Sequence, residues 1–255
     1  MSHPRRSVRL QCCALAAGLG LLQVLAVAQD APLPSARDLV ARHIAAIGGS
    51  AAYLAVKSVR LRGRFELTGQ NIAADFEMMA ARPNKLRLHI DIPGLGLNES
   101  GYDGKVGWTL NPQVGPRLLS GRELDELAID ANFDSTLHPA DQYKELTTIG
   151  RTVYDGRDAF KVRAMFTSGV EQIEYFDAQT GLQIGWEATR QTELGLVPAS
   201  AILRDYKKFG RLMQPTTIVQ KALFLEQVLR VTSCDYDVVP ASAFDLPAQI
   251  KALLK

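Results

Sequence analysis

The chain has 255 residues, with 29 Lys and Arg against 27 Asp and Glu, and 47% of its residues are apolar. It lacks the strong basic excess of a nucleic-acid binder and is long enough for one large domain with a real core.

Arg5, Arg6 and Arg9 precede an apolar run from Cys12 to Leu22 that is too short to span a bilayer, and Ala26-Val27-Ala28 supplies the small residues before a cleavage point. This predicts a signal peptide over residues 1–28 and a single exported domain over residues 29–255, a retained N-terminal anchor being the alternative. No Cys follows the small residues, so no lipid attachment is expected. The leader takes three basic residues and no acidic one, which moves the net charge from +2 to −1. Cys12 and Cys13 leave with it, so Cys234 has no partner for an intrachain disulfide.

After Pro32 and Pro34, Ser35 and Asp38 are spaced as a capping box for a helix carrying Leu39, Val40, His43, Ile44 and Ile47 on one side. Gly48-Gly49 ends it, and a short helical turn runs from Ser50 to Leu54. From Val59 the period changes to two: Val59, Leu61, Gly63, Phe65 and Leu67 alternate with Arg60, Arg62, Arg64 and Glu66. Strands are predicted at residues 58–67, 72–80, 85–92, 97–103 and 106–110, with Pro93-Gly94 and Asp103-Gly104 as turns. A helical insertion follows, in which Ser120 and Glu123 are spaced as a second capping box. Leu124, Leu127, Ala128 and Ala131 form its apolar stripe, and Glu123, Asp125, Glu126 and Asp130 lie off it. A short helix is predicted from Pro139 to Leu146. Seven further strands are predicted at residues 147–154, 158–166, 170–177, 182–192, 197–206, 214–223 and 227–238. Turns are placed at Asp155-Gly156, Thr180-Gly181 and residues 208–211. Leu182, Ile184, Trp186 and Ala188 are expected to share one strand face. A last helix follows Pro247 with Ile250, Leu253 and Leu254.

The pattern therefore predicts a mainly β (α+β) fold, an open barrel of about eleven or twelve strands. About eight strands make a barrel that its own side chains fill, and more leave a lumen. The inserted helices, with apolar stripes needing a partner, are the natural lid or plug. Phe65, Phe76, Met78, Leu88, Ile90, Trp108, Leu124, Leu127, Ile184 and Trp186 are the candidate lining of that space, each otherwise ordinary core.

The residues for catalysis are sparse. His43, His89 and His138 are far apart without metal-ligand spacing, and no nucleophile elbow or phosphate loop is present. His43 reads as packing and His89 as a solvent-facing strand residue. His138 with Asp141 and Glu145 reads as a helix-start surface, with cation binding or hydrolysis as the sharper alternative. Cys234 lacks a basic neighbour and reads as an inert thiol. The ladder Arg60, Arg62, Arg64 reads as a solvated face, or else as a contact for anionic head groups. No cofactor and no metal are implied.

Gly101-Tyr102-Asp103-Gly104-Lys105-Val106-Gly107-Trp108, Asn111-Pro112 and Gly115-Pro116-Arg117-Leu118-Leu119 resemble the outer-membrane lipoprotein-sorting proteins of the LolA-like superfamily. Glu174-Tyr175-Phe176-Asp177, Thr180-Gly181-Leu182, Asp205-Tyr206-Lys207, Gln214-Pro215-Thr216 and Phe244-Asp245-Leu246-Pro247 extend the resemblance over nearly all of the exported chain. Each motif is mainly turn chemistry, and it is their order that is specific. The resemblance implies a half-open antiparallel β-barrel with a helical lid in the periplasm of a Gram-negative cell. Members of the superfamily hold acyl chains or other lipids between barrel and lid, so the expectation is a carrier of lipid acyl chains or lipoprotein anchors, with an inner-membrane donor and an outer-membrane acceptor as candidate partners. A monomer is the default for a shuttle, and the sparse catalytic residues argue against an enzyme. The rival expectations are a sensory or scaffold module that uses the same fold to bind a partner protein, and an enzyme acting on a hydrophobic substrate.

Overall fold

Period-two segments become strands when every second side chain can be buried against neighbours, and here that condition is met across one very large sheet. The computed structural model describes residues 32–192 and 195–255, so the expected signal peptide falls outside the described residues. Leu33–Lys255 forms one compact unit. It opens with α1 (Ala36–Ala46) and α2 (Ser50–Leu54), followed by β1 (Ser58–Leu67), β2 (Ile72–Ala81), β3 (Lys85–Ile92), β4 (Gly96–Tyr102), β5 (Gly107–Asn111) and β6 (Gly115–Leu118). After α3 (Gly121–Ala131) come β7 (Tyr143–Tyr154), β8 (Arg157–Phe166), β9 (Glu171–Asp177), β10 (Gln183–Thr192) and β11 (Gly195–Arg204). A small hairpin, β12 (Lys207–Phe209) and β13 (Leu212–Gln214), precedes β14 (Thr217–Ala222), β15 (Leu225–Tyr236) and α4 (Ala248–Ala252). None of the described helices is long and apolar enough to cross a membrane.

Thirteen strands pair antiparallel in the order β6-β5-β4-β3-β2-β1-β15-β14-β11-β10-β9-β8-β7, while β12 and β13 pair only with each other. The sheet does not close: β6 and β7 are its two free margins. The expected eleven or twelve strands were too few. β6 is a four-residue strand whose Gly-Pro start reads as a turn, and residues 208–211, expected as a turn alone, are the bend of the β12–β13 hairpin.

Curvature enters at bulges, which tighten the local twist. One lies at Arg62/Gly63 where β1 meets β15, and a Cβ at position 63 would stand 1.9 Å from the Arg230 carbonyl oxygen. Only glycine lets the two strands approach so closely. Another bulge, between Gln183 and Gly185 on β10, overturns the expectation that Ile184 and Trp186 share a face. Ile184 packs with Ala159 and Tyr175, whereas Trp186 pairs across to Glu174 on the opposite face.

Two helical expectations give way to sheet pairing or to a better ion pair. Residues 139–146 hold one 3-10 turn, Ala140–Gln142, before Tyr143 opens β7 opposite Phe166. Tyr143, Thr147 and Thr148 suit a strand, and β8 offers the partner. The Ser35 box forms, with its hydroxyl accepting from the Asp38 N–H at 3.1 Å and donating to Asp38 Oδ2 at 2.7 Å. The Ser120 box does not: the Ser120 side chain makes no cap bond, and Glu123 turns instead to Arg117 at 2.6 Å.

α1 covers the β7–β9 end of the sheet's concave face. Leu39 and Val40 meet Val162 and Phe176, all nearly or wholly buried. Farther along, Ile47, Tyr53, Val56, Phe133 and Leu212 tie the start of the chain to the small hairpin.

Candidate ligand cavity

α3 lies across the remaining part of the concave face, in contact with β10 along one side and with β3, β4 and β5 along the other. The β5 contact is apolar. Gly107 faces inward, and a Cβ there would stand 2.7 Å from Leu124 and 3.2 Å from Leu127. The β10 contact is polar. Arg122 Nη2 donates to the Thr189 carbonyl at 2.8 Å, Glu126 Oε2 accepts from the Gln191 N–H at 2.9 Å, and Arg190 Nη2 reaches Asp130 Oδ1 at 3.2 Å. The chain leaving α3 is pinned by Arg82, which pairs with Asp134 and stacks over the Phe133 ring at 4.8 Å.

Beneath α3 the sheet leaves a recess of about 460 Å³, walled by Val59, Leu61, Met78, Leu86, Leu88 and Leu127 and ending at Trp186. Leu127, Asp130 and Trp186 also border a second recess of about 410 Å³ toward Leu67 and Leu225, so the two meet at these side chains. Volumes of this size match small-ligand sites. A larger groove of about 810 Å³ runs along the other face, over the cross-strand row Ile173, Glu187, Ser200 and Lys221. That groove lacks a roof and is lined by several charges. The roofed, mainly apolar recess is the better ligand site despite its smaller volume.

Of the residues picked out by the sequence, Met78, Leu88, Leu127 and Trp186 border this recess. Phe65, Phe76 and Ile90 belong to an adjoining packed cluster with Leu61, Ala74 and Val231. Leu124 holds α3 against β5. Trp108 and Ile184 sit on the reverse face. Trp108 aligns with Gly101 and Leu118 and lies under Arg87, which donates to the Ala243 carbonyl of the C-terminal segment at 3.0 Å.

A smaller polar recess of about 230 Å³ adjoins Trp186, Asp130 and Arg190 and contains His138 and Glu174. The expectation for His138 is corrected here. It is buried, and its Nε2 lies 2.6 Å from Glu174 Oε2, with Nδ1 3.2 Å from the Thr136 carbonyl. Asp141 and Glu145 do not join it; Glu145 binds Arg163 at 2.5 Å. Both ring nitrogens face acceptors, as only the imidazolium can satisfy. Burial alone would lower its pKa, but the charge and hydrogen bond of Glu174, with the Thr136 carbonyl, raise it above the ordinary value. Gln172 Nε2 donates to Glu174 Oε1 at 3.2 Å, and Arg190 Nη2 approaches Gln172 Oε1 at 3.4 Å. A polar chain thus runs Asp130–Arg190–Gln172–Glu174–His138 along the end of the apolar recess.

The other groups are quiet. His43 is buried, its Nδ1 accepts from the Gln183 N–H at 3.0 Å, and burial lowers its pKa to about 4. His89 is not solvated as expected: Nδ1 lies 3.1 Å from Glu99, and burial lowers its pKa. Arg64 pairs with Asp75 at 2.7 Å, and Arg60 and Arg62 share Glu77 at 3.3 and 2.9 Å with Asp235 3.9 Å from Arg62, so each arginine of the basic ladder has an acidic neighbour. Cys234 is buried, which pushes its thiol pKa up. No group of metal-ligating side chains occurs among the described residues.

No protein-family model and no curated protein sequence matches the chain. Solved structures do. A DUF1329 family protein from Desulfovibrio piger superposes with a TM-score of 0.57 at 14% identity, covering 84% of this chain and 97% of its own. A LolA superfamily protein from Nitrosomonas europaea gives 0.55 at 14% identity over 84% and 99%. A putative outer membrane lipoprotein-sorting protein domain from Vibrio parahaemolyticus gives 0.53 at 10% identity over 86% and 97%. With the open antiparallel sheet and the helix across its concave face, these likenesses establish that the chain has a LolA-like fold.

Proposed function

We propose that this protein is an exported, periplasmic carrier that shelters acyl chains of a lipid or lipoprotein anchor in the recess beneath α3, its lid. The roofed apolar recess of about 460 Å³ carries this reading. Each methylene left in water costs about 0.8 kcal/mol, so a multi-chain anchor does not cross an aqueous compartment unaided. A carrier must also let go. α3 suits that need, since a few hydrogen bonds hold its β10 side, and the packing of Leu124 and Leu127 with the Glu123–Arg117 ion pair holds the other. The LolA-like fold supports the reading through the Vibrio parahaemolyticus protein, whose name refers to lipoprotein sorting.

Protein purified from its native host should yield lipid on extraction, and the delipidated form should take up a fluorescent acyl probe. Leu88→Trp places a larger side chain in the recess wall and should reduce probe uptake at least ten-fold with little change in melting temperature. Absence of lipid together with absence of uptake would refute the carrier. A protein partner co-purifying without lipid would favour the scaffold role instead.

A further inference from the structure

Asp130 belongs to the polar side of α3, yet it borders all three recesses under the helix. Among the described residues lining the recess of about 460 Å³ it is the one charged side chain. Its neighbours in the polar chain are withdrawn: Glu174 and His138 are 4% and 3% exposed and Arg190 is 14% exposed, whereas 51% of the Asp130 side chain is accessible. Arg190 is already shared among Asp130 Oδ1, Gln172 and the Trp186 ring, over which its guanidinium lies at 4.9 Å. The polar end of a molecule filling the apolar recess therefore meets a carboxylate before it meets a cation. Partial desolvation beneath α3 raises the Asp130 pKa, with Arg190 opposing, although half of the side chain stays accessible to a ligand. Such a group gains most from a ligand that donates hydrogen bonds, and a second anion beside it is repelled.

Resting on the carrier reading and narrowing its ligand, we infer that the recess selects amphiphiles whose polar end donates hydrogen bonds, an amine or hydroxyl head received by Asp130. Chains that end in a carboxylate or phosphate are disfavoured.

Displacement of 1-N-phenylnaphthylamine from the delipidated protein at pH 7 tests this with three ligands of one chain length: tetradecylamine, tetradecanol and tetradecanoate. The amine and the alcohol should displace the probe at concentrations at least ten-fold lower than tetradecanoate. Asp130→Asn removes the charge that repels an anion and attracts a cation, so it should abolish the advantage of both the amine and the alcohol over tetradecanoate. Asp130→Glu, which keeps the carboxylate, should retain both preferences and serves if the Asn variant folds poorly. Equal displacement by all three ligands, or preferences unchanged in Asp130→Asn, overturns the inference while leaving the carrier intact. Failure of the probe itself to bind overturns the carrier and this inference together.

Discussion

Acid should loosen this protein through His43. Burial holds its folded pKa at about 4 against an ordinary 6.5, with the His138 charge acting in the same direction and Glu174 against it. The neutral ring accepts from Gln183 and meets Phe176 edge-on at 5.9 Å, tying α1 to β9 and β10. Because the folded value lies below the unfolded one, the unfolded chain binds more protons as pH falls from 6.5 toward 4. Stability present above pH 6.5 is therefore lost in that window, by about 2 kcal/mol at pH 5 and about 3 kcal/mol at pH 4. His138, with its raised value, has the opposite sign: its contribution is full below pH 6.5 and lost as pH rises through its folded pKa. Comparison with His43→Gln separates the two, since glutamine can still accept from Gln183 and does not titrate. Urea unfolding followed by far-ultraviolet circular dichroism at pH 7.5, 6, 5 and 4.5 should show the wild type losing stability relative to the variant at each step. Parallel stability curves for the two proteins between pH 7.5 and 4.5 would refute the reasoning.

Phe176 is fully buried under α1, so Phe176→Ala should cost about 3–5 kcal/mol, visible as a lowered urea midpoint. Gly63→Ala drives a methyl group into the Arg230 carbonyl and should cost about 1–3 kcal/mol or more, lowering the melting temperature by roughly 5–10 °C; an unchanged melt would contradict the observed strand separation.

The ten residues from Ser58 to Leu67 and their partner strands were legible because a half-buried strand must alternate, and β1, β3 and β8 lie within a residue of their expected bounds. β6 was not, because four residues beginning Gly-Pro carry too short a period to register. β7 began as a predicted helix since Pro139 suits a helix start, and only the presence of β8 decides otherwise. Ile184 went to the wrong face because a bulge breaks the parity on which every strand reading depends. Within the site, Leu88 and Trp186 followed from alternation, whereas Asp130 was set aside as a solvent-side residue of an amphipathic helix. A signal was available: Arg190 and Glu174 occupy the same strand phase as Trp186 and Phe176, and charges in an inward phase point to a wet interior. His138 gave no such hint, since its partner Glu174 lies thirty-six positions away in sequence.

An unclosed sheet leaves unmatched amides and carbonyls along both outer strands, an invitation to stack with a neighbouring molecule. The β6 border is four residues long and includes Pro116, which has no N–H to offer. The β7 border is longer, but two register shifts break it, and Lys144, Glu145 and Arg151 are exposed along it. Neither border presents a long flat template. A sheet can thus stay unclosed, its trough open along both borders, without offering a neighbouring molecule a continuous strand to extend.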